Sequence, residues 1–372
     1  MQLVFVIPSL SGGGAERVLV SLARGLAARG HRVTVVTIYG PECDFFPLPE
    51  AIHRVALGLG RDTEGLVDKL GANLRRLAAL RRAIRKARPE AVISFLGRTN
   101  VLTVFAAAGL KTPVIVAEHT DPIREPLPAP WQWLRRIAYR WAARVVSVSA
   151  AIDEYFDWIP AARRAVIPNP IDFAELARPA APLKWPWPHA AIAMGRLAPE
   201  KGFDQLIEAF AAVASQFPDW GLVILGEGPL RGKLESLATG RGLAGRVLLP
   251  GNIPQPGATL KNADLFVLSS RWEALPMALL EAMACGLPSV VTQCIAGRPE
   301  WLQSGKNAIL TPVDEVPKLA GALAELMRDA ALRRRLGDNA ALTARQFALE
   351  SVLEQWEALL AEFGCRSTRP GV

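Results

Sequence analysis

The sequence predicts an α/β protein of two doubly wound domains, each with a parallel sheet that is covered by helices on both faces. Two observations lead to this fold class. Short apolar, β-branched runs alternate with longer segments of helical periodicity. A proline-rich stretch at 173–188 interrupts the alternation, which then starts again. A chain of 372 residues is also long enough for two domains of roughly 100–200 residues each.

The first half of the chain is predicted to form the first sheet. Its strands are the apolar runs at 3–7, 32–37, 91–95, 114–118, 145–148 and 165–167. Helical periodicity lies between them, at 15–28, 69–87 and 131–143. Parallel strands need a crossover connection, which is usually a helix, so this order favours a parallel sheet.

The second half repeats the pattern. Strands are predicted at 190–194, 221–225, 247–249, 265–268 and 289–292, and helices at 203–217, 230–239, 278–284 and 317–327. Ligands of such sheets bind at the carboxyl ends of the strands, and pockets are frequent between domains. We therefore expect the two domains to face an interdomain cleft that holds the site.

These elements divide the chain into four parts. Residues 1–172 form the first domain, 173–188 a linker and 189–349 the second domain. Residues 350–372 contain an amphipathic helix, which we expect to cross back to the first domain.

The composition excludes several classes of protein. Apolar residues make up 51% of the chain and charged residues 21%, which argues against disorder. No basic segment precedes the first apolar run, and no run approaches the ~18 apolar residues of a membrane span. The four widely spaced cysteines, Cys43, Cys285, Cys294 and Cys365, indicate free thiols in a reducing compartment. We expect a cytoplasmic protein, either soluble or peripheral on the inner face of the plasma membrane.

The net charge of +8 is unevenly distributed. Residues 1–180 contain 24 Lys and Arg against 16 Asp and Glu, whereas residues 181–372 contain 19 of each kind. A one-sided positive field suits an anionic membrane surface, a phosphorylated lipid or a nucleic acid. Because no nucleic-acid-binding motif is visible, we expect no nucleic acid as partner.

Gly12, Gly13 and Gly14 follow the first strand where the first helix begins. Glycines allow close approach of a ligand, and the helix N-terminus offers free N–H groups to an anion. A tight turn without ligand is the alternative. Nicotinamide binding is disfavoured, because Arg17 replaces the third glycine of the dinucleotide fingerprint and no carboxylate ends the second strand.

The second domain opens with a strand and a turn flanked by two cations, Arg196 and Lys201. Arg presents a planar fork and Lys a mobile point charge, so together they could neutralise a diphosphate. Two surface cations on a loop are the alternative. Glu227, Asn252 and Ile253 follow later strands, where they could read a nucleotide base or form ordinary turns.

The most informative segment is 269–288. A strand is followed by a loop that carries Glu273 and by an apolar helix that carries Glu281. A buried carboxylate needs a partner, and ligand hydroxyls can donate two or more hydrogen bonds to it. The alternative is an exposed Glu273 and a Glu281 that is paired within the protein.

Taken together, these residues resemble the retaining glycosyltransferases of family 4, which have two Rossmann-like domains in the GT-B architecture. The resemblance covers essentially the whole chain. Its most specific parts are 195–202 and 273–288, and 166–172 is similar to the junction segment of the family. The resemblance implies that the first domain binds the acceptor and the second the nucleotide sugar.

The resemblance also implies residue roles. Arg196 and Lys201 would hold the donor diphosphate, Glu281 the ribose hydroxyls and Glu273 the donor sugar. His119 matches the active-site histidine of the first domain, so the implied catalytic residues are Glu273, His119, Arg196 and Lys201. Further donor contacts are implied for Gly195, Ala274, Leu275, Pro276, Met277, Ala278 and Leu279.

The chemistry implied by the resemblance retains the anomeric configuration and needs neither metal nor cofactor. No Asp-x-Asp motif occurs in the sequence, which agrees with metal independence. The expected donor is a UDP-sugar. Ala274 stands where the family usually has glycine, so we expect the sugar pocket to be reshaped. Gly12, Gly13 and Gly14 would bind phosphate or acceptor.

Two basic stretches bear on the acceptor. The segment 69–88 has eight cations, among them Arg75, Arg76, Arg81 and Arg82, and no acid. The segment 131–141 combines tryptophan with arginine, as in helices at a membrane interface. Because both segments lie between strands, we expect their apolar stripes to pack on the sheet and their cations to face outward.

Several segments of the first half are also similar to bacterial enzymes that extend polyprenyl-diphosphate-linked oligosaccharides, namely 11–18, 93–96, 110–113, 118–120 and 133–136. This similarity implies a lipid-linked glycan acceptor, used in the synthesis of cell-surface polysaccharide or glycoprotein oligosaccharide. The cationic helix would then hold the lipid diphosphate. Two alternatives stay open: a nucleotide-sugar epimerase of the same architecture, and a basic membrane-associated scaffold.

Overall fold

The computed structural model describes residues 1–60 and 66–364. For Leu66 and Val67 it describes the backbone but not the side chains. The chain forms two compact units. The first contains residues 1–170 and the helix at 349–364, and the second contains residues 171–348. The C-terminal residues 365–372, which include Cys365, lie outside the described part.

Within the described part of residues 1–170, the first unit is built on seven strands and five α-helices. In chain order they are β1 (Gln2–Ile7), α1 (Gly14–Ala28), β2 (Arg32–Thr37), β3 (His53–Ala56), α2 (Leu66–Ala87), β4 (Ala91–Phe95), α3 (Gly97–Ala107), β5 (Val114–Glu118), α4 (Ala129–Ala138), β6 (Arg144–Ser147), α5 (Ala150–Glu154) and β7 (Arg164–Val166), joined by the C-terminal helix described below. All strands are parallel, in the order β3-β2-β1-β4-β5-β6-β7.

The second unit has its own parallel sheet in the order β10-β9-β8-β11-β12-β13. Its elements are α6 (Phe173–Leu176), β8 (His189–Met194), α7 (Phe203–Ala214), β9 (Trp220–Leu225), α8 (Arg231–Gly240), β10 (Val247–Gly251), α9 (Gly257–Lys261), β11 (Leu265–Leu268), α10 (Met277–Ala284), β12 (Ser289–Thr292), β13 (Ile309–Thr311), α11 (Val316–Arg328) and α12 (Ala330–Ala344). Two parallel-sheet α/β units confirm the predicted fold class.

The predicted strands are present, because buried parallel strands are continuous apolar runs. Two strands were missed: β3 and β13 are short edge strands that are largely not buried. Helix α3 was missed as well, because it is buried on nearly all sides and lacks a polar face. The predicted linker begins with α6, a short helix capped by the Asp172 carboxylate, which accepts from the Glu175 amide.

Helix α13 (Leu349–Gly364) packs against α1 in the first unit. A Cβ atom on Gly25 of α1 would overlap the side chain of Leu353, so the glycine permits this close approach. At the rim, Glu357 accepts from Arg29 at 2.6 Å and lies 3.1 Å from His31 Nε2. Buried apolar contact, with an ion pair at its edge, therefore joins the C-terminal helix to the first unit.

The outer faces of α2 and α4 differ from the expectation. Both helices pack on α3. Leu80 and Ile84 of α2 are buried, but Leu70 and Leu74 are 64% and 58% exposed. The predicted packing of the whole apolar stripe is therefore wrong for the first half of α2.

The same expectation is wrong for α4. Trp133 and Trp141 are 64% and 61% exposed, while Arg135 is buried. Arg135 can lie inside because its guanidinium donates to Gln132 and Tyr155 at 2.7 Å and stacks over the rings of Tyr155 and Phe156. A buried arginine that is hydrogen-bonded and stacked on aromatic rings thus occupies the inner face of the helix. None of the helices within residues 1–60 and 66–364 has the length and apolar character of a membrane span.

Replacing Leu353 with Ala should destabilise the first unit by roughly 2–5 kcal/mol, because it leaves a cavity between α1 and α13. For a unit of this size, each kcal/mol corresponds to about 2–4 °C in the midpoint of unfolding. Differential scanning calorimetry should show one transition at lower temperature. The exposed neighbour Glu354→Ala is the control and should unfold as the wild type does. Equal melting of both variants would contradict the packing described for α13.

Candidate active site

Each unit places its candidate residues at the position where the strand order reverses. In the first unit this position lies between β1 and β4, and in the second between β8 and β11. Ligands of doubly wound sheets bind outside the carboxyl ends of the strands at this position. The loop of Gly12, Gly13 and Gly14 follows β1, the loop of Arg196 and Lys201 follows β8, and the loop of Glu273 follows β11.

The second unit joins two predicted residues directly. Lys201 Nζ donates to Glu273 Oε1 at 2.7 Å, and the Ser270 hydroxyl donates to the same oxygen at 2.7 Å. Both charged side chains are mostly buried. Burial alone lowers the pKa of the Lys201 ammonium, but Glu273 and then Glu200 more than offset this effect and raise it above its usual value. Lys201 is therefore a permanent cation.

Arg196 lies in a different environment. Its side chain is exposed, and Nη2 donates to Glu200 Oε1 at 2.6 Å. Burial is the largest single influence and raises the pKa of Glu200, but the hydrogen bond from Arg196, a backbone hydrogen bond and the charges of Arg196 and Lys201 together lower the net pKa. An exposed arginine bound to one carboxylate can exchange that carboxylate for phosphate oxygens at small cost, because exposed ion pairs contribute little.

A cluster that was not predicted connects the loop of Lys201 to the loop of Glu273. The Arg271 amide donates to the Glu200 carbonyl, and its guanidinium donates to the Pro199 carbonyl at 2.6 Å. The guanidinium also forms a two-pronged pair with Asp204 at 3.0 and 2.8 Å. Only the folded chain brings these partners together, because about 70 residues separate them in sequence.

Glycines bring the backbones of the β8 and β9 loops together. Gly226 has φ +139°, and a Cβ atom there would overlap the Gly195 carbonyl. Glu227 is exposed and tied to Arg231, whose hydrogen bonds are the main cause of its lowered pKa. Asn252 is exposed at the end of β10, and Ile253 is half-buried beside it. These loops form one continuous edge of the sheet.

Helix α10 begins at this edge. Pro276 precedes its first turn. The first amide of this helix that donates to a carbonyl of the preceding turn is that of Leu280, which donates to the Pro276 carbonyl. The amides of Met277, Ala278 and Leu279 are therefore offered at a helix N-terminus, where anions are favoured. Glu281, one turn further, is only 2% exposed. Ala274, Leu275 and Pro276 are buried where the chain enters the helix.

Cys294 is a further residue that sequence reasoning did not single out. Its carbonyl accepts from the Glu273 amide at 2.9 Å, and burial, with Glu273 beside it, raises the pKa of its thiol to about 12. It is a neutral, buried thiol that supports the Glu273 loop. Within the described ranges, no three His, Cys, Asp or Glu side chains are grouped as ligands for a metal ion.

In the first unit, the glycine loop already holds a carboxylate. Glu16, in the first turn of α1, accepts from the Ser11 hydroxyl at 3.2 Å and lies against Gly13. A Cβ atom on Gly13 would overlap this carboxylate. Glu16 was not selected from the sequence, because an acidic residue in the first turn of a helix is also common where no ligand binds. Its charge favours ligand hydroxyls over phosphate in this loop.

His119 follows β5 and stacks on Phe95, with ring centroids 4.9 Å apart. Its Nδ1 lies 3.0 Å from Asn169 Oδ1. Because an amide oxygen only accepts, Nδ1 carries the proton and Nε2 is an acceptor. Nε2 is buried and has no hydrogen-bond partner among the described residues. Burial lowers the pKa of His119 to about 4, although Asn169 opposes the shift, so the ring is neutral at physiological pH.

The preceding residue, Glu118, is fully buried and was not predicted as part of the site. It accepts a hydrogen bond from the Tyr139 hydroxyl, which also accepts from Asn100 at 3.1 Å. Burial raises the pKa of Glu118, and the nearby Arg135 opposes the shift. This network fixes the end of β5, and therefore the backbone that carries His119.

The four selected cations of α2 fall into two classes. Arg76 donates to the Leu59 carbonyl at 3.0 Å, and Arg81 donates to the Ala106 and Ala108 carbonyls at 2.8 and 2.7 Å. These two arginines hold the helix in place. Arg75 and Arg82 are exposed and form no hydrogen bond or ion pair with the described residues.

Comparison with known protein families gives two matches that together extend over most of the chain. Residues 12–175 match the family described as "Glycosyltransferase Family 4". Residues 187–343 match "Glycosyl transferases group 1". The first match includes the glycine loop and His119, and the second includes the loops of Lys201 and Glu273.

Two curated relatives are similar over nearly their full length. One, from Campylobacter jejuni, is an α-1,4-N-acetyl-D-galactosaminyltransferase acting on an undecaprenol-PP-linked glycan; it is 27% identical over 97% of this chain and 99% of its own. The other is the lipopolysaccharide core biosynthesis glycosyltransferase LpsE of Rhizobium meliloti, 28% identical over 94% and 96%.

Solved structures share the fold. Sucrose-phosphate synthase from Thermosynechococcus elongatus superposes with a TM-score of 0.82 at 19% identity, over 98% of this chain and 100% of that chain. HepE of Anabaena in complex with UDP superposes with a TM-score of 0.76 at 20% identity, over 97% and 100%. With these likenesses the GT-B architecture is confirmed. The chain therefore belongs to the glycosyltransferases in which a family 4 domain is followed by a group 1 glycosyl transferase domain.

Proposed function

We propose that this glycosyltransferase moves a sugar, with retention of configuration and without a metal ion, from a UDP-sugar to a hydroxyl of a lipid-linked glycan. The observation that carries the donor half of the proposal is the Lys201–Glu273 pair of 2.7 Å at the carboxyl edge of the second sheet. It combines a permanent cation with a carboxylate, next to the exposed Arg196 and the N-terminus of α10.

On this proposal, the diphosphate of the donor binds between Arg196, Lys201 and the first amides of α10. Glu281 accepts hydrogen bonds from the ribose hydroxyls. The carboxylate of Glu273 contacts hydroxyls of the donor sugar while it holds the Lys201 ammonium. UDP as the nucleotide is favoured because solved relatives such as HepE are described in complex with UDP.

The chemical step breaks the bond between the anomeric carbon and the β-phosphate oxygen. The acceptor hydroxyl forms the new bond on the same face, and its proton passes to the departing phosphate oxygen. Arg196 and Lys201 stabilise the negative charge that develops on the diphosphate, which is the main contribution of the protein to the rate. The neutral His119 offers Nε2 as an acceptor to a substrate hydroxyl.

The acceptor half of the proposal rests on the first unit. The Campylobacter jejuni relative is described as a transferase that acts on an undecaprenol-PP-linked glycan. Helix α2 presents Arg75 and Arg82 to solvent, where they can meet a lipid diphosphate or an anionic surface. Glu16 in the glycine loop is suited to acceptor hydroxyls. The protein would work as a peripheral protein on the inner face of the plasma membrane.

Lys201→Ala should lower kcat/KM for the donor by roughly 10²–10³, because one preorganised group that stabilises the leaving diphosphate is lost.

Glu281→Ala should weaken UDP binding by roughly tenfold or more, since hydrogen bonds to a charged group contribute about 1.5–3 kcal/mol. Both are measured with radiolabelled UDP- and GDP-sugars in EDTA, with the exposed Lys318→Ala as control. Turnover of donor by the wild type without acceptor would instead support a nucleotide-sugar epimerase.

The pH dependence should follow the neutrality of His119. With a pKa of about 4, the ring stays neutral from about pH 5 to 8, so its protonation should not reduce wild-type transfer in that range. Asn169→Asp places a carboxylate beside Nδ1 and raises the pKa of His119. Protonation of Nε2 then removes the acceptor as the pH falls, and kcat/KM of the variant should decline on the acid side.

Nitrogen-15 NMR measures the protonation of His119 directly, and the chain has only four histidines. His53→Gln, on an exposed histidine, is the control and should keep the wild-type pH profile. A raised pKa in Asn169→Asp with an unchanged pH profile would contradict the role of Nε2.

The double variant Arg75→Glu/Arg82→Glu should raise KM for a polyprenyl-diphosphate-linked acceptor by at least roughly tenfold, because each cation near an anionic surface contributes about 1 kcal/mol. Transfer to a water-soluble glycan should not change. The matched control is Lys318→Glu/Arg334→Glu, which reverses two exposed cations of the second unit. Equal effects on both acceptors would count against docking of the lipid diphosphate on α2.

A further inference from the structure

A strip of five residues on the outside of α4 has no role in the function described so far. The helical turns continue past Ala138, since the Trp141 amide donates to the Ala138 carbonyl at 2.8 Å. Residues three, four, seven and eight positions apart share a face of such a segment. We call this face the α4 strip: Trp133, Arg136, Ile137, Arg140 and Trp141.

Both tryptophans of the α4 strip are exposed, and Trp141 is held in place by its neighbours. The ring of Trp141 meets Phe105 edge-on, with centroids 5.7 Å apart. Beside it opens an apolar surface pocket of about 370 Å³, lined by Val104, Leu110 and Pro113 among others. The pocket lies at the start of β5, whereas His119 follows the other end of that strand. The α4 strip and the pocket therefore leave the carboxyl ends of the strands open.

Large exposed apolar side chains are concentrated in this unit. Of the seven found among the described residues, six are in the first unit: Leu70, Leu74, Ile123, Trp133, Trp141 and Val166. Only Leu342 is in the second unit. Single exposed apolar residues are common on proteins, but two tryptophans on one strip beside an apolar pocket are not.

The charges around the α4 strip are mainly positive. Arg136 and Arg140 are exposed on the strip, and Lys111 is exposed in the loop that lines the pocket. Arg136 lies over the Trp158 ring at 6.0 Å. The exposed acids nearest in sequence are Glu125 on one side and Glu154 and Asp157 on the other, all on flanking segments. Helix α2, on the other side of α3, adds further exposed arginines.

We propose that the α4 strip and its pocket dock on an anionic lipid bilayer, with Trp133 and Trp141 at the level of the headgroups. This proposal rests on the proposed function in that a lipid-linked acceptor requires the enzyme to work at a membrane. Tryptophan is enriched at membrane interfaces, because its ring is apolar and its N–H remains hydrated. The arginines beside it keep their charges among anionic headgroups while their stems cover apolar surface.

The test measures binding to vesicles by flotation, without donor or acceptor. Vesicles of phosphatidylcholine with about one third phosphatidylglycerol supply the anionic surface, and pure phosphatidylcholine is the reference. Trp133→Ala/Trp141→Ala should lower the partition coefficient at least tenfold on anionic vesicles. Arg136→Glu/Arg140→Glu should do the same, and added salt should weaken the wild type in parallel.

Leu342→Ala is the matched control, because Leu342 is 61% exposed in the second unit, as Trp141 is in the first. It should bind vesicles as the wild type does. Transfer to a water-soluble glycan should be unchanged in all three variants, since none of these residues belongs to the candidate active site. If the protein has no transferase activity, the vesicle measurement still stands, so the two proposals fail separately.

Unchanged vesicle binding by Trp133→Ala/Trp141→Ala would overturn the proposal. So would a wild-type dimer, seen by light scattering, that these substitutions convert to a monomer without a change in vesicle binding. In that case a second copy of the chain, and not a bilayer, covers the strip.

Discussion

The ion pair between Lys201 and Glu273 is the interaction on which the donor half of the proposed site depends. It joins a loop after β8 to a loop after β11, and these two strands are neighbours in the second sheet. A partly buried pair is stable only when the remaining polar atoms are satisfied as well. The Ser270 hydroxyl supplies one such bond to Glu273, and the Cys294 carbonyl fixes its backbone. The geometry of the loops and the charge of the lysine are thus determined together.

Arg271 extends this constraint outward. By holding the Pro199 and Glu200 carbonyls and Asp204, it prevents the two loops from moving apart when a ligand competes for Lys201. Gly202, with φ +59°, allows the chain to turn tightly beside the Ser269 carbonyl. Arg196 is outside this constraint, because among the described residues it forms its ion pair with Glu200 on the same turn. The donor half therefore has one fixed cation and one that can be redirected.

The strands could be predicted from the sequence, because a buried parallel strand is an apolar run. The residues that follow them could also be predicted as site candidates, because ligands bind at the carboxyl ends of the strands. It was insufficient where burial depends on distant partners. Arg135 was assigned to an outer face, yet Tyr155 and Gln132 satisfy it inside. The sequence did not single out Arg271, Glu16 or Asn169, because the role of each depends on a partner that only the fold brings close. Helix α3 was missed because a helix buried on all sides has no polar stripe.

The cations of the two units differ in whether a carboxylate is paired with them, and this difference separates their roles. Lys201 and Arg196 each have a carboxylate partner before any donor binds, so the donor half carries little uncompensated charge. Arg75 and Arg82 of α2, and Arg140 of the α4 strip, are exposed and have no ion pair with the described residues. Partly buried pairs are screened weakly by salt, whereas exposed charges are screened strongly. On the proposed function, the first unit therefore carries the long-range attraction to an anionic surface, and the second unit keeps its charges for short-range contacts with a diphosphate.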